Sequence, residues 1–316
     1  MSPRQPSDHD YDSAPATNVL RLAAFASEPG GGNPAGVVLD ASALSDAAMQ
    51  RIAADVGYAE TAFLIEPGSD TDRTVRVRYF SPVAEVPFCG HATVATAVAL
   101  AERRGTGSFT FETPVGLVIV HTARSDADSD AAITPAGGAA SASVTASFTS
   151  VEPHVRELDP VVADTLLSLL GLQRSDLDDH WPLGEAFAGN WHPIVTIRSQ
   201  EVFDAFSFDP ASIRALMDER GWAGTVTVVC RQHSDESSTL RVEARNLFPV
   251  GDITEDPATG SAAASLGAYL RALGAIEPPA RFGVHQGRHV GRPSLLMVDV
   301  PPTGGVTVTG TATPIS

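Results

Sequence analysis

The sequence predicts an α+β chain of two similar halves, each rich in strands and each holding a buried helix. Three observations carry this: strand-like runs outnumber helical ones, two helices are apolar on nearly every side, and one stretch of the first half recurs in the second. The 316 residues make one large domain or two modest ones, and 43% hydrophobic against 19% charged residues places the chain among globular proteins.

Strand-like runs fall at 19–26, 35–39, 61–65, 75–80 and 110–120, then at 194–197, 225–230, 240–248, 295–300 and 306–310. Three ordinary surface helices lie between them. The first, 45–56, opens on Ser45 as N-cap and sets Met49, Ile52, Ala53 and Val56 on one face. Segments 161–172 and 211–220 read alike. Two further helices differ: HATVATAVALAERR follows Gly90 and SAAASLGAYLRALG follows Gly260, small and apolar all round, so each is expected inside the core. Residues 125–146 keep neither period and suit an inter-domain connection or an exposed loop. The expected division is a loose tail over 1–17, a first lobe over 18–135 that 305–316 can complete, and a second lobe over 136–304.

Charge removes several classes of function. Twenty-one basic against 38 acidic residues leave a net −17, which argues against nucleic-acid or anionic-membrane binding. No apolar run approaches the roughly 20 residues that span a bilayer, and the first seventeen lack the apolar stretch of a secretory signal. Two cysteines, Cys89 and Cys230, make no disulfide framework, so a reducing cytoplasm is expected. Neither paired CxxC nor HExxH occurs, and neither does a GxGxxG or GxxxxGKS/T loop, so no metal and no nucleotide cofactor is expected.

The repeat is the most informative feature. VRYFSPVAEVPFCGHATVATA, from Val77, lies over ARNLFPVGDITEDPATGSAAA, from Ala244, without a gap: Arg78 meets Arg245, Pro82 meets Pro249 and Ala95 meets Ala262, at one offset of 167. A looser echo pairs GGNPAGVV at Gly31 with GNWHPIV at Gly189. Duplication sets equivalent features face to face across a cleft, and here those features are helix N-termini, whose unpaired N–H groups and positive dipole ends suit a carboxylate. A small organic acid is therefore the expected ligand.

Several side chains in these turns can do chemistry. Glu60 opens the strand ETAFL, where burial raises a carboxyl pKa toward usable acid/base range; it also reads as a plain strand-end carboxylate. His91 stands at a helix start, where an imidazole stays neutral, and it either caps the helix or polarises a ligand. Asp256 precedes Pro257 as an N-cap does, in a carboxylate cluster with Asp252 and Glu255. Ser261 either donates to a bound carboxylate or serves its helix end. Cys89 suggests a nucleophile, but the position matching it at the common offset is Asp256, so a two-thiol mechanism is disfavoured. Arg78 and Arg245 can clamp a carboxylate or pin their turns by salt bridges, and lying within strands they read more as pins.

These motifs together resemble the PhzF family of phenazine-biosynthesis isomerase-like proteins: GNPAGVV at Gly32, ETAFL at Glu60, RYFSPVAEVPFCGHAT ending at Thr93 and EDPATGSA from Glu255. The resemblance implies the diaminopimelate-epimerase-like fold, two pseudo-symmetric lobes each wrapping a mixed, largely antiparallel sheet around a central helix. It implies a homodimer and a cofactor-free proton transfer, with the ETAF glutamate at Glu60 moving the proton and His91, Asp256 and Ser261 touching substrate or serving as acid/base groups. The expected site is then Glu60, His91 and Asp256 for catalysis, with Gly90, Ala92, Thr93, Thr259, Gly260 and Ser261 holding the carboxylate. The alternatives are a member that binds an organic acid without turnover and a thiol enzyme using Cys89 with His91.

Overall fold

The structure, a computed structural model, describes residues 17–69, 71–125, 143–232, 240–250 and 253–315. In chain order these form β1 (Leu20–Ala24), β2 (Asn33–Val38), α1 (Asp46–Val56), β3 (Glu60–Glu66), β4 (Thr74–Phe80), the short β5 (Glu85–Val86), α2 (Gly90–Arg104), β6 (Gly107–Thr113), β7 (Gly116–Arg124) and β8 (Val144–Thr149). Then come β9 (His154–Glu157), α3 (Pro160–Leu169), β10 (Gly184–Phe187), β11 (Trp191–Ile197), α4 (Gln200–Ala205), α5 (Pro210–Arg220), β12 (Val226–Gln232) and β13 (Arg241–Val250). Last are β14 (Ile253–Asp256), α6 (Gly260–Ala272), β15 (Ala280–Gln286), β16 (Ser294–Val300) and β17 (Thr307–Pro314).

The strands join through hydrogen-bonded neighbours into one mixed sheet with few helices. The pairs β2–β3, β4–β6, β11–β12 and β13–β15 are parallel, and the other pairs are antiparallel. Strand β17 pairs with β8 along one edge and with β1 and β16 along the other. Strand β8, inside the span expected to belong to a second lobe, pairs with β7 and β17. The expected boundary at 135/136 lies outside the described residues, as does 1–16 of the expected tail.

Helix α2 is enclosed by β1, β2, β3, β7, β8 and β17, and α6 by β9, β10, β11, β16 and β17. Their composition explains how. His91 through Ala101 are all buried, and Thr93 and Thr96 return their hydroxyls to the carbonyls of Cys89 and Ala92, so the polar atoms inside are satisfied by the helix itself. In α6, a Cβ on Gly267 would stand 3.0 Å from Val298, Val300 and Val306, so glycine is what lets β16 and the segment before β17 close on the helix. Both helices share one hydrophobic core with Leu100, Phe109, Phe111, Leu266, Leu270 and Phe282; truncating such a leucine to alanine costs about 2–5 kcal/mol.

The outer faces differ. In the second half α3 and α5 form a second core with α4, where Leu166, Phe203, Ile213 and Met217 pack on Val226 and Val228. Among the described residues the first half has α1 alone, resting Met49 and Ala53 on Phe63 and Phe80, while Leu117 and Ile119 of β7 are exposed. The run 110–120, expected as one strand, is a hairpin, because Pro114 and Gly116 at φ 112° turn the chain between β6 and β7. No helix among the described residues is long and apolar enough to cross a membrane.

Candidate active site

The N-termini of α2 and α6 meet. A Cβ on Gly90 would lie 4.0 Å from the Cα of Gly260, and Cβ atoms at either glycine would come within 3.1–3.2 Å of Cζ of Phe148, so both helix starts abut over one ring. Neither start carries a side-chain cap: Cys89 and Thr259 occupy the cap positions in extended conformation. First-turn amides and positive dipole ends thus come together at one junction.

At the α2 tip, β3 delivers Glu60 and β2 delivers Asn33. The Cys89 thiol donates to Oε2 of Glu60 at 3.4 Å, and Nε2 of His91 lies 3.5 Å from the same oxygen. Sγ of Cys89 is also 3.3 Å from Nδ1 of His91. Asn33 joins the two halves: its amide nitrogen lies 3.2 Å from Nδ1 of His91, 2.7 Å from Oδ1 of Asp256 and 3.1 Å from the carbonyl of Ala258. Asp256 takes the hydroxyl of Thr259 on its other oxygen. Gln286 fastens this turn, donating to the Asp256 carbonyl at 2.6 Å and accepting from the Thr259 amide at 3.2 Å.

Away from Asp256, the α6 tip is built from neutral groups. Oγ of Ser261 is 3.0 Å from Nε2 of His192, which β11 presents fully buried. Nδ1 of His192 receives the Thr225 amide at 3.0 Å, while the hydroxyls of Thr225 and Thr227 donate to Oδ1 of Asn246.

Burial shapes the electrostatics. It lifts Glu60 from an ordinary carboxyl value to about 7, helped by the charge of Asp256 and opposed by the Cys89 hydrogen bond. It lifts Asp256 to about 6, against the bonds from Thr259 and Asn33. The same loss of water holds His91 and His192 neutral, each pushed down to about 4. The Cys89 thiol is driven well above its usual value by burial and then by Glu60, so the sulfur keeps its proton despite the helix dipole.

Glu60, His91 and Asp256 therefore lie around this junction, with Gly90, Gly260 and Ser261 at its helix starts. Three expectations change. Thr93 is fully buried, its amide bonds the Cys89 carbonyl at 3.0 Å and its hydroxyl bonds Tyr79, so it holds α2 rather than a ligand. Thr259 spends its amide and hydroxyl on Gln286 and Asp256. Nor is Asp256 raised by a carboxylate cluster: Glu255 is held by the buried Arg245, Asp252 lies outside the described residues, and burial supplies the shift.

The repeat also carries a gap. Arg78 grips Glu85 and Arg245 grips Glu255, so an offset of 167 at the arginines becomes 170 at the glutamates and at the helix starts Gly90 and Gly260. The second turn is three residues longer. Cys89 thus matches Thr259, and His91 matches Ser261. Asn33 and His192, each preceding the proline of its motif, were signalled only by the looser echo. Among the described residues, donor atoms of Glu60, Cys89 and His91 lie within 4.8 Å of one another, as do those of Asp204, Glu243 and His289, where Arg288 already occupies both carboxylates.

A family model described as phenazine biosynthesis-like protein matches residues 22–316. The uncharacterised isomerase YddE of Escherichia coli K12 is 32% identical over 301 residues, covering 93% of this chain and 95% of that protein. The trans-2,3-dihydro-3-hydroxyanthranilate isomerase of Pseudomonas chlororaphis is 30% identical over 273 residues, 86% of each chain. Among solved structures, the PhzF-family phenazine biosynthesis protein of Bacillus anthracis superposes with a TM-score of 0.77 at 26% identity, over 94% of this chain and 96% of that one.

Proposed function

Because the chain belongs to the phenazine biosynthesis-like protein family, we propose that it is an isomerase in which Glu60 shuttles a proton between carbons of a small carboxylate-bearing substrate. The observation that carries this reading is a carboxyl at the junction of two helix starts whose pKa is raised to about 7, where it accepts and returns a proton with little driving-force penalty. The substrate carboxylate lies against the amides of Gly90 and His91 and of Gly260 and Ser261, so that the dipoles of α2 and α6 offset its charge. His91, neutral, stands beside Glu60 to hydrogen-bond the developing enolate-like oxygen, and Asp256 tunes Glu60 while holding Asn33 in place.

On this reading the two halves are lobes of a diaminopimelate-epimerase-like fold, the proton transfer runs on side chains without a cofactor, and the protein works as a homodimer. The compound to try first is the one for which the P. chlororaphis relative is named. Glu60→Gln keeps the shape of the side chain and removes its basicity. Run in D2O with trans-2,3-dihydro-3-hydroxyanthranilate, it should lower product formation and deuterium uptake by at least about a thousandfold. Wild-type exchange in this variant removes Glu60 from the role.

A further inference from the structure

We infer that His192 is a positioning residue: it orients the Ser261 hydroxyl so that its proton faces the junction of the helix starts, where it binds the ligand's carboxylate. This rests on the reading of the junction as a carboxylate site and adds a group outside it.

Three observations converge. His192 is fully buried while Ser261, one residue past Gly260, is partly exposed, and His192 is the hydrogen-bond partner of Oγ of Ser261 among the described residues. Backbone closes over the ring: a Cβ on Gly224 would stand 2.6 Å from Cε1 and 2.8 Å from Nε2 of His192, so the imidazole has one place to lie. The third observation fixes the proton. Nδ1 is 3.0 Å from the Thr225 amide and 3.1 Å from the Thr225 carbonyl. A buried N–H without an acceptor is rarer and costlier than a carbonyl with a lone pair unused, so Nδ1 accepts and Nε2 carries the hydrogen. The Thr225 hydroxyl cannot take over, since it donates to Asn246 at 2.6 Å. Nε2–H then donates to Oγ of Ser261, which leaves the serine hydrogen free for an anion at the junction. The reversed tautomer would draw that hydrogen back onto the ring.

Two substitutions separate positioning from mere packing. In His192→Gln the terminal amide replaces Nε2–H and the acceptor for Thr225 is lost; in His192→Asn the side-chain oxygen replaces Nδ1 and the donor to Ser261 is lost. The probe is 3-hydroxyanthranilate, which bears the same carboxylate as the relative's substrate but has no proton to move. Its affinity should fall about tenfold in His192→Asn and stay within about threefold in His192→Gln, whereas thermal stability should fall more in His192→Gln. In a Ser261→Ala background, His192→Asn should cost no further affinity. Equal losses of affinity in both single variants, or none in either, overturn the assignment. So does a ligand-free result: 15N shifts of His192, assigned by difference against His192→Gln, should report the Nε2–H tautomer from pH 5 to 8, and the Nδ1–H tautomer would contradict it. The crossed pattern of affinity and stability without any turnover would remove the isomerase reading and leave the positioning of Ser261 standing.

Discussion

The tips of α2 and α6 occupy equivalent places in the repeat and carry opposite chemistry. At the first, a carboxyl, a thiol and an imidazole lie within about a hydrogen bond of one another, all displaced from their ordinary pKa values by burial. At the second, His192, Thr225, Thr227, Asn246 and Ser261 form a network whose members are neutral and paired. The scaffold alone therefore does not set reactivity. What differs is which residue each strand and helix start contributes: asparagine beside histidine in one half, histidine beside serine in the other. The three extra residues before Glu255 then bring Asp256 across to Asn33. On the proposed reading, one tip exchanges protons and the other holds the ligand.

The sharpest way to break this division is to neutralise the first tip. Glu60→Gln should abolish proton exchange as stated above, and Asp256→Asn should lower turnover by about a hundredfold. Asp256→Asn should also shift the rate profile in a defined direction. Because the charge of Asp256 raises Glu60, its loss lowers the Glu60 pKa, and the limb on which Glu60 must be deprotonated moves toward acid. Rates measured from pH 5 to 9 show the shift. An unmoved limb would mean that Asp256 does not act on Glu60 electrostatically.

Stability offers a second contrast. A carboxyl whose folded pKa exceeds its unfolded value binds more protons when folded, so its contribution falls as pH rises from about 4.5 toward the folded value of about 7. Glu60→Gln cannot ionise and escapes this loss. Its melting temperature should match the wild type near pH 4 and exceed it at pH 8, by the equivalent of roughly 3 kcal/mol at most. The buried imidazoles should behave in the opposite sense to Glu60: the neutral His192, with folded pKa about 4, loses stability as pH drops below about 6.5, so His192→Gln should show a weaker acid-side decline. Thermal melts across pH 4–8 check both.

Composition sufficed to place α2 and α6 in the core, because a helix without a polar face has nowhere else to go. Glu60, His91, Asp256 and Ser261 stood out in the sequence because Glu60 opens a compact strand motif and the other three lie in or beside the turns that start α2 and α6. The rest was hidden for physical reasons. The inserted residues fall between Pro249 and Glu255, where matching prolines and alanines on either side disguise the slip, and the Arg245–Glu255 pair that reveals it is a long-range contact. Asn33, His192 and Gln286 come from strands remote in sequence, and their roles depend on registers that no local pattern records. Thr93 misled because a threonine near a helix start looks like a donor, yet its hydroxyl turns inward to Tyr79 and the Cys89 carbonyl. Thr93→Val should therefore cost about 1–2 kcal/mol of stability and leave the ligand KM unchanged.

The smallest expected effect bears most directly on which group at the first tip moves the proton. Cys89 and Glu60 compete for that role, since both stand at the junction and lie 3.4 Å apart. A thiol takes part as a base only as thiolate, and here burial and the neighbouring carboxylate both oppose that form. No second thiol faces it, because the equivalent place in the other half holds Thr259. Cys89→Ala should thus keep kcat/KM within about threefold of wild type. It should also nudge the Glu60-dependent limb upward in pH, because the S–H bond that favours the carboxylate is gone. A thousandfold loss would instead assign the base to sulfur, with Glu60 reduced to its hydrogen-bond acceptor and the raised carboxyl pKa left as a consequence of burial alone.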